Sequence, residues 1–511
     1  MHPATHARAR PDHPAIVTGS GEVWTYGDLD RTSNRVAQLF RKHGLGIGAT
    51  VALCLDNRPD YLAIAWGAQR AGLALVAVST KLTAAEGAYI VADSGAQLMI
   101  AGPGIGPVFG ELTDALDVPV LAVGGDFDQA LATMPDTAIP DERAGTDMLY
   151  SSGTTGRPKG IRLPLPDDPA IDGANSLAEL ARMAFGMGED TVYLSPAPLY
   201  HAAPLRWCMT AHRLGGTVVL MEKFEPEAAL TAIERHRVTH AQWVPTHFVR
   251  MLKLPGEARA AHDVSSLRVA IHAAAPCPVA VKQAMIDWWG PVLVEYYAGT
   301  EGNGLTMIGS ADWLTHEGSV GRALIGELHV CDEAGRELGP GEEGLVYFGG
   351  PGTFAYHNDP DKTASVTHRQ GWTTLGDVGR VDTDGYLYLT DRADFMIISG
   401  GVNVYPQEVE DLLVTHPLVD DVAVVGAPHS DLGEQVVAAI RLSDPARASA
   451  ELEAEMIAWV RARLSGVKTP RRIEFVAELP RADTGKLYKR LIRDRYRATG
   501  VPLTTPERTD A

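Results

Sequence analysis

Cysteine is scarce in this 511-residue chain. Cys54, Cys208, Cys277 and Cys331 are the whole supply, and no two of them form a CxxC pair. A disulfide framework and a thiolate metal knuckle are therefore excluded as organising devices. Long apolar runs are missing too. The richest stretch, Leu62 to Val78, is broken by Gln69 and Arg70, and falls short of the roughly 20 apolar residues that cross a bilayer. The first residues, Met1-His-Pro-Ala-Thr-His-Ala-Arg8, hold no apolar leader core. With so few cysteines, this predicts a reducing, cytoplasmic setting. Basic residues are in deficit, 45 Lys and Arg against 64 Asp and Glu, giving a net charge of −19. Such a field does not suit nucleic acid or an anionic membrane surface.

What is present is the composition of a globular protein, 45% hydrophobic and 21% charged, with 52 glycines. The length predicts about three structural units. Over the first 300 residues, short β-branched runs alternate with amphipathic helical stretches, the rhythm of a parallel sheet covered by helices. Helices are expected at Leu29–Lys42 and Pro59–Ala71, with Thr83 and Glu86 as a capping-box pair opening another. Strands are expected at Val51–Leu55, Leu75–Val78, Thr191–Leu194, Thr217–Met221, Thr239–Val244, Leu267–Ile271 and Leu293–Tyr297. Beyond Arg322 the pattern turns antiparallel, with Gly326–Cys331 and Gly344–Phe348 alternating around glycine-rich turns. A shorter α+β piece follows Asp391, with helices at Pro406–Thr415 and Glu451–Leu464 and strands at Asp421–Val425 and Val436–Ile440. The expected fold class is α/β. A large N-terminal domain of parallel helix-covered sheets spans 1–390, with a small β subdomain at about 322–390, and a small α+β domain spans 391–511. Between Arg461 and Arg497 the last piece carries a local charge of +8, a surface suited to a polyphosphate or simply to solvent.

Two patterns are decoys. Gly44-Leu-Gly-Ile-Gly-Ala49 imitates a dinucleotide fingerprint, but it follows a helix and precedes a strand, the reverse of the required context. His236 and His240 sit four apart in a stretch read as helical, without the glutamate that completes a zinc helix. The strong signal is Tyr150-Ser-Ser-Gly-Thr-Thr-Gly-Arg-Pro-Lys-Gly160. Glycines let backbone N–H groups approach an anion, hydroxyls donate, and Lys159 supplies charge. Its spacing is not that of a Walker A loop.

With that loop the chain resembles the adenylate-forming superfamily of acyl-CoA synthetases, adenylation domains and luciferases, in its acyl-CoA synthetase and fatty-acid–CoA ligase branch. The resemblance runs over nearly the whole chain. Pro198-Leu-Tyr-His201 is similar to the segment gating the acyl pocket, and Ala273-Ala-Ala-Pro276 to the strand end against which adenine lies. Tyr296-Tyr-Ala-Gly-Thr-Glu301 resembles the Tyr-Gly-x-Thr-Glu motif. Gly371–Asp377 resembles the ribose segment, and Asp391-Arg-Ala-Asp394 the hinge. Ser399-Gly-Gly401 with Asn403–Pro406 resembles the pantetheine-tunnel loop, and Leu479–Lys486 the catalytic-lysine motif. Three departures stand out: Ala298 replaces the motif glycine, Ser151 replaces a threonine, and Leu163–Asp168 replaces the usual continuation after Gly160. Ala298 is expected to stiffen its turn, and Leu163–Asp168 to alter the entrance beside the loop.

The resemblance implies ATP, Mg²⁺ and coenzyme A. Ser151, Ser152, Gly153, Thr154, Thr155, Gly156 and Lys159 are expected at the phosphates. Ala274, Ala275 and Pro276 are expected at the base, Asp377 and Arg392 at the ribose, and Tyr297 among the cofactor-binding residues. Thr300 would donate to the α-phosphate, Glu301 would hold Mg²⁺, and Lys486 would follow the charge developing during adenylation. Gly400 and Gly401 would flank the pantetheine arm once the C-terminal domain has pivoted at Asp394. His201, Trp243, Phe248, Ala273, Gly302, Asn303 and Met307 are expected around the acyl group. That set lacks Lys or Arg for a second carboxylate, so a bulky apolar acid (fatty, aromatic or alicyclic, sterol-like included) fits it best. The implied reaction is acid–CoA ligation through an acyl-adenylate. A standalone adenylation enzyme serving a carrier thiol and an amide synthetase remain alternatives, as does a non-enzymatic nucleotide sensor. The partners are small molecules, and a homodimer is left open.

Overall fold

The computed structural model describes residues 1–499 apart from 103–107, 152–157, 351–353, 430 and 482–486, with backbone only at Ser151 and 497–499. Two helix-covered sheets form the large N-terminal part. One has six strands, in the order Val120–Ala122, Ala96–Ala101, Thr50–Cys54, Ala74–Ala77, Thr146–Ser151 and Lys159–Arg162. All its pairings are parallel except the last, an antiparallel pair whose two strands flank the phosphate-loop signature in sequence.

The other sheet has nine strands. Its parallel centre runs Leu293–Ala298, Val269–His272, His240–Trp243, Val192–Ser195, Thr217–Leu220 and Pro14–Thr18. Antiparallel strands finish both edges: Leu305–Gly309 and Arg322–Ile325 on one side, Val23–Thr25 on the other. Arg322–Ile325 therefore closes the large sheet. The four-stranded antiparallel sheet begins only at Glu327–Cys331, and continues through Gly344–Gly349, Asp377–Val381 and Leu387–Arg392.

The helix Pro59–Arg70 lies in the main core; of its twelve residues only Asp60 escapes burial. Gln69 and Arg70 are not a surface break. The Arg70 guanidinium is buried and paired with Asp30 at 2.9 Å and Glu142 at 3.0 Å, so two carboxylates offset its desolvation. Gly67 lets this helix press against Tyr26–Lys42: a Cβ there would fall 2.4 Å from a Val36 methyl. The Thr83–Glu86 capping box forms as expected. Gly44–Ala49 is a connection between helix Tyr26–Lys42 and strand Thr50–Cys54, with left-handed turns at Gly44 and Gly48, and no helix follows it.

The paired histidines require a correction. His236 ends the helix Pro226–His236, and His240 begins a buried strand. The His240 ring contacts the Phe185 carbonyl at 2.8 Å and the Thr239 hydroxyl at 2.8 Å, so both nitrogens are engaged in the core.

In the last part, Val402–Val404, Ile397–Ser399, Gly433–Leu442 and Val419–His429 form an antiparallel sheet, with Arg472–Phe475 running parallel to Gly433–Leu442. Helices Pro406–Leu413, Ala450–Arg461 and Lys489–Thr499 accompany it. Much of the basic surplus here is paired internally: Lys468 with Glu408, Arg472 with Glu474, Arg481 with Asp421 and Lys489 with Glu410. Among the described residues, no helix is long and apolar enough to cross a membrane.

Candidate active site

The carboxyl ends of the parallel strands, the four-stranded sheet and the C-terminal part meet around one cavity of about 1300 Å³. Open parallel sheets place ligand sites at such strand ends, because the loops diverge there.

At one wall, Asp377 stands opposite Arg392 in adjacent antiparallel strands. Its carboxylate accepts from the Tyr297 hydroxyl at 2.6 Å and pairs with Arg392 Nε at 3.1 Å. Burial and the neighbouring Asp377 charge hold the Tyr297 phenol well above its ordinary range, so it stays a donor. Behind it, the ring of Tyr297 stacks on Phe348. Ala274, Ala275 and Pro276 line the same region, directly after the strand Val269–His272. Ala274 adopts φ +77°, a left-handed conformation that L residues avoid and that concentrates at functional sites.

A second cluster surrounds Lys159. Its ammonium lies 5.5 Å from the centre of the Tyr356 ring, and the Tyr356 hydroxyl donates to Glu301 at 3.0 Å. Burial and then the like charge of Lys362 lower the Lys159 pKa, so this corner favours an added anion. Neither lysine has an ion-pair partner among the described residues. Tyr356 and Lys362 were not foreseen from the sequence. Both lie in the segment joining two recognisable motifs, and only the tertiary fold brings Tyr356 to Glu301 and Lys362 to Lys159. Thr300 also lines the cavity.

The expected stiffening at Ala298 does not arise. Ala298 ends a strand in register with Leu305, and the turn is made by Gly299 and Gly302, the latter at φ +68°.

The remaining wall is aromatic and aliphatic. Trp243, Ala273, Gly302, Met307 and His201 line it. Two expectations are corrected. Phe248 is fully buried and packs on Trp243, His272 and Trp289, while its helical neighbour Val249 faces the cavity. Asn303 is also buried, donating to the Thr373 carbonyl, and does not reach the cavity. The absence of Arg is corrected as well: Arg206 lines the wall, with its Nε and Nη2 atoms 2.7 and 2.8 Å from Asp147.

From the C-terminal part, Arg481, Leu487 and Lys489 reach the cavity, together with Glu410, Asp411 and Asp394, the residue expected at the hinge. Arg481 grips Asp421 through two hydrogen bonds of 2.7 Å each, at the base of the segment 482–486. Gly400 and Gly401 form the left-handed turn of the hairpin Ile397–Val404 and are not among the lining residues. Ser152, Gly153, Thr154, Thr155, Gly156 and Lys486 lie outside the described residues, as does the Ser151 side chain.

The description of an AMP-binding enzyme matches residues 4–356, and that of the AMP-binding enzyme C-terminal domain matches 408–486. The chain thus belongs to the AMP-binding enzyme family, in its acyl-CoA synthetase branch, and its class is that of the AMP-forming acid–thiol ligases. It is 34% identical to a feruloyl-CoA synthase of an Amycolatopsis species, over 97% of this chain and 98% of the relative. Among solved structures, ATP-bound MatB from Rhodopseudomonas palustris is 28% identical with a TM-score of 0.79, covering 97% of this chain and 99% of MatB. The amide bond synthetase McbA from Marinactinospora thermotolerans is 29% identical with a TM-score of 0.78, covering 97% of this chain and all of McbA.

Proposed function

We propose that the protein is an ATP-dependent carboxylic acid–CoA ligase that activates a bulky, largely apolar acid as its acyl-adenylate. AMP and pyrophosphate leave, and the CoA thiol takes the acyl group. The observation that carries this reading is the convergence of three differently built walls on one cavity. They are a carboxylate–phenol–guanidinium cluster, a lysine corner and an aromatic chamber.

Each wall suits one part of the reaction. Asp377 accepts from the ribose hydroxyls, with Arg392 and Tyr297 fixing its orientation. Lys159 and Thr300 meet the phosphates, where positioning and charge neutralisation supply most of the catalysis. Ser152 to Gly156 are assigned to the same phosphates, and Lys486 to the charge that develops as the acid attacks. Glu301 is suited to Mg²⁺: it faces the cavity, and the Tyr356 hydroxyl leaves carboxylate lone pairs free for a hard cation. The ion's contribution when bound is to neutralise phosphate charge.

The aromatic side chains of the chamber suit a ring-bearing acid, and the relative that is a feruloyl-CoA synthase supports this reading. The segment from 391 onward is assigned a pivot at Asp394. That motion would withdraw Lys486 and bring Gly400 and Gly401 to the acyl-adenylate. The amide synthetase neighbour keeps one rival concrete. The test is steady-state pyrophosphate release with a panel of acids, comparing CoA, simple amines and no acceptor. Turnover that requires CoA is expected. Equal turnover with amines would replace the ligase by an amide synthetase.

A further inference from the structure

The acyl chamber is not uniformly apolar. Alternation along the strand Leu293–Ala298 sends Tyr297 towards Asp377 and its neighbour Tyr296 to the other face. There the Tyr296 oxygen accepts from Gln242 Nε2 at 3.1 Å, and the Trp207 side chain lies beside it. A phenol has two acceptor lone pairs and one O–H. With Gln242 on the oxygen, the phenol proton is left over, and no acceptor among the described residues takes it. Next to it, Arg206 spends one proton each of Nε and Nη2 on Asp147, which leaves three, two on Nη1 and one on Nη2. Tyr296, Gln242, Arg206 and Trp207 all line the cavity. Around them the surface is apolar, with Phe185 edge-on to Trp207 at 5.5 Å and Met307 close by.

We infer that Tyr296 and Arg206 form a donor subsite for a neutral oxygen carried on the body of the acid, remote from its carboxylate. This inference rests on the ligase reading above and sharpens its substrate class. The preferred acid bears a ring with a hydroxyl, alkoxy or keto oxygen; it is not a plain alkyl chain. An alkyl chain would strip water from these donors and leave them unmet, and burying an unmet donor is costly. A second carboxylate is disfavoured, because the charge of Arg206 is already matched by Asp147. A pocket built to hydrogen-bond an oxygen discriminates strongly against the analogue that lacks it.

The test uses matched pairs: 4-hydroxycinnamate with cinnamate, 4-oxocyclohexanepropanoate with cyclohexanepropanoate, and decanoate as the alkyl reference. kcat/KM for CoA-dependent AMP formation is measured for parent, Tyr296→Phe and Arg206→Lys. Binding of each acid is followed separately by the fluorescence of the chamber tryptophans. The parent is expected to favour the oxygenated member of at least one pair by tenfold or more. Tyr296→Phe is expected to shrink that ratio at least tenfold, in binding as in turnover. A ratio that Tyr296→Phe leaves intact, or a parent that prefers decanoate, overturns the subsite. Selective binding of oxygenated acids with no AMP formed from any of them would support the subsite and overturn the ligase reading instead.

Discussion

Glu301 owes its position to one hydroxyl. The Tyr356 phenol donates to it at 3.0 Å, and Lys159 lies over the same ring, so the carboxylate faces the phosphate corner with no salt bridge among the described residues. A carboxylate so placed attracts a hard cation; an amide does not. Glu301→Gln keeps the shape and the hydrogen bond but loses the charge. The Mg²⁺ concentration giving half-maximal activity should rise by about tenfold or more, while the far-ultraviolet dichroism stays that of the parent. An unchanged Mg²⁺ dependence would remove the metal role from this residue. At this scale the sequence was most readable where a motif is contiguous, as in Tyr297 to Glu301. It was least readable where a rotation of 100° along a helix decides which neighbour faces the cavity. Phe248 and Val249 differ by one such step, and only the packing of Phe248 on Trp243 and Trp289 selects Val249. Arg206 escaped notice because its partner, Asp147, lies 59 residues away.

Helix Pro406–Leu413 delivers two acidic residues into the wall between the domains. Glu410 pairs with Lys489 at 2.9 Å, and Asp411 accepts from Gln407 at 2.7 Å. Asp391 also turns towards this helix, taking the Gln407 backbone N–H at 2.9 Å. Burial, Glu410 and Asp391 push the Asp411 carboxyl up to about 7, against the opposing effects of Gln407 and Lys489. An unfolded chain releases this proton at about pH 4. Between about pH 4 and 7 the folded chain therefore holds a proton that the unfolded chain has lost, and this group's contribution to stability falls as pH rises through that window. Asp411→Asn removes the titration. The variant's melting temperature should gain on the parent's from pH 5 to pH 8, with the gain levelling off above 7. The same difference at both ends of the range would contradict the assignment. No motif announces this cluster. The periodicity of the helix was legible, whereas the charges that act on Asp411 from outside its helix come from Asp391, 20 residues earlier, and from Lys489, far along the chain. The strands were read well for the opposite reason, because their β-branched runs record burial locally. The histidines were misread since a spacing of four fits a helix, a strand start and the connection between them equally.

For the molecule as a whole, the central claim is that one cavity serves two half-reactions through two placements of the C-terminal domain. In the arrangement described, Arg481 and Leu487 on either side of the catalytic-lysine segment reach the cavity, whereas Gly400 and Gly401 stand at a hairpin turn away from it. The proposed mechanism assigns that arrangement to adenylation and has it exchanged before a thiol enters. The most direct measurement compares the two half-reactions in Lys486→Ala and Gly401→Leu. ATP–pyrophosphate exchange with the preferred acid reads the first half-reaction, and acyl-CoA formation from synthetic acyl-adenylate reads the second. Loss of a charge donor at the transition state costs on the order of 3 kcal/mol, roughly a hundredfold to a thousandfold in rate. Lys486→Ala should lose exchange by about that factor and still convert the adenylate near the parental rate. Gly401→Leu should keep exchange and lose thioester formation, since its side chain enters the thiol's path and leaves the phosphates untouched. A folding defect would depress both rates in both variants and cannot produce the crossed pattern. Equal slowing of both half-reactions in Lys486→Ala would contradict the two-placement account.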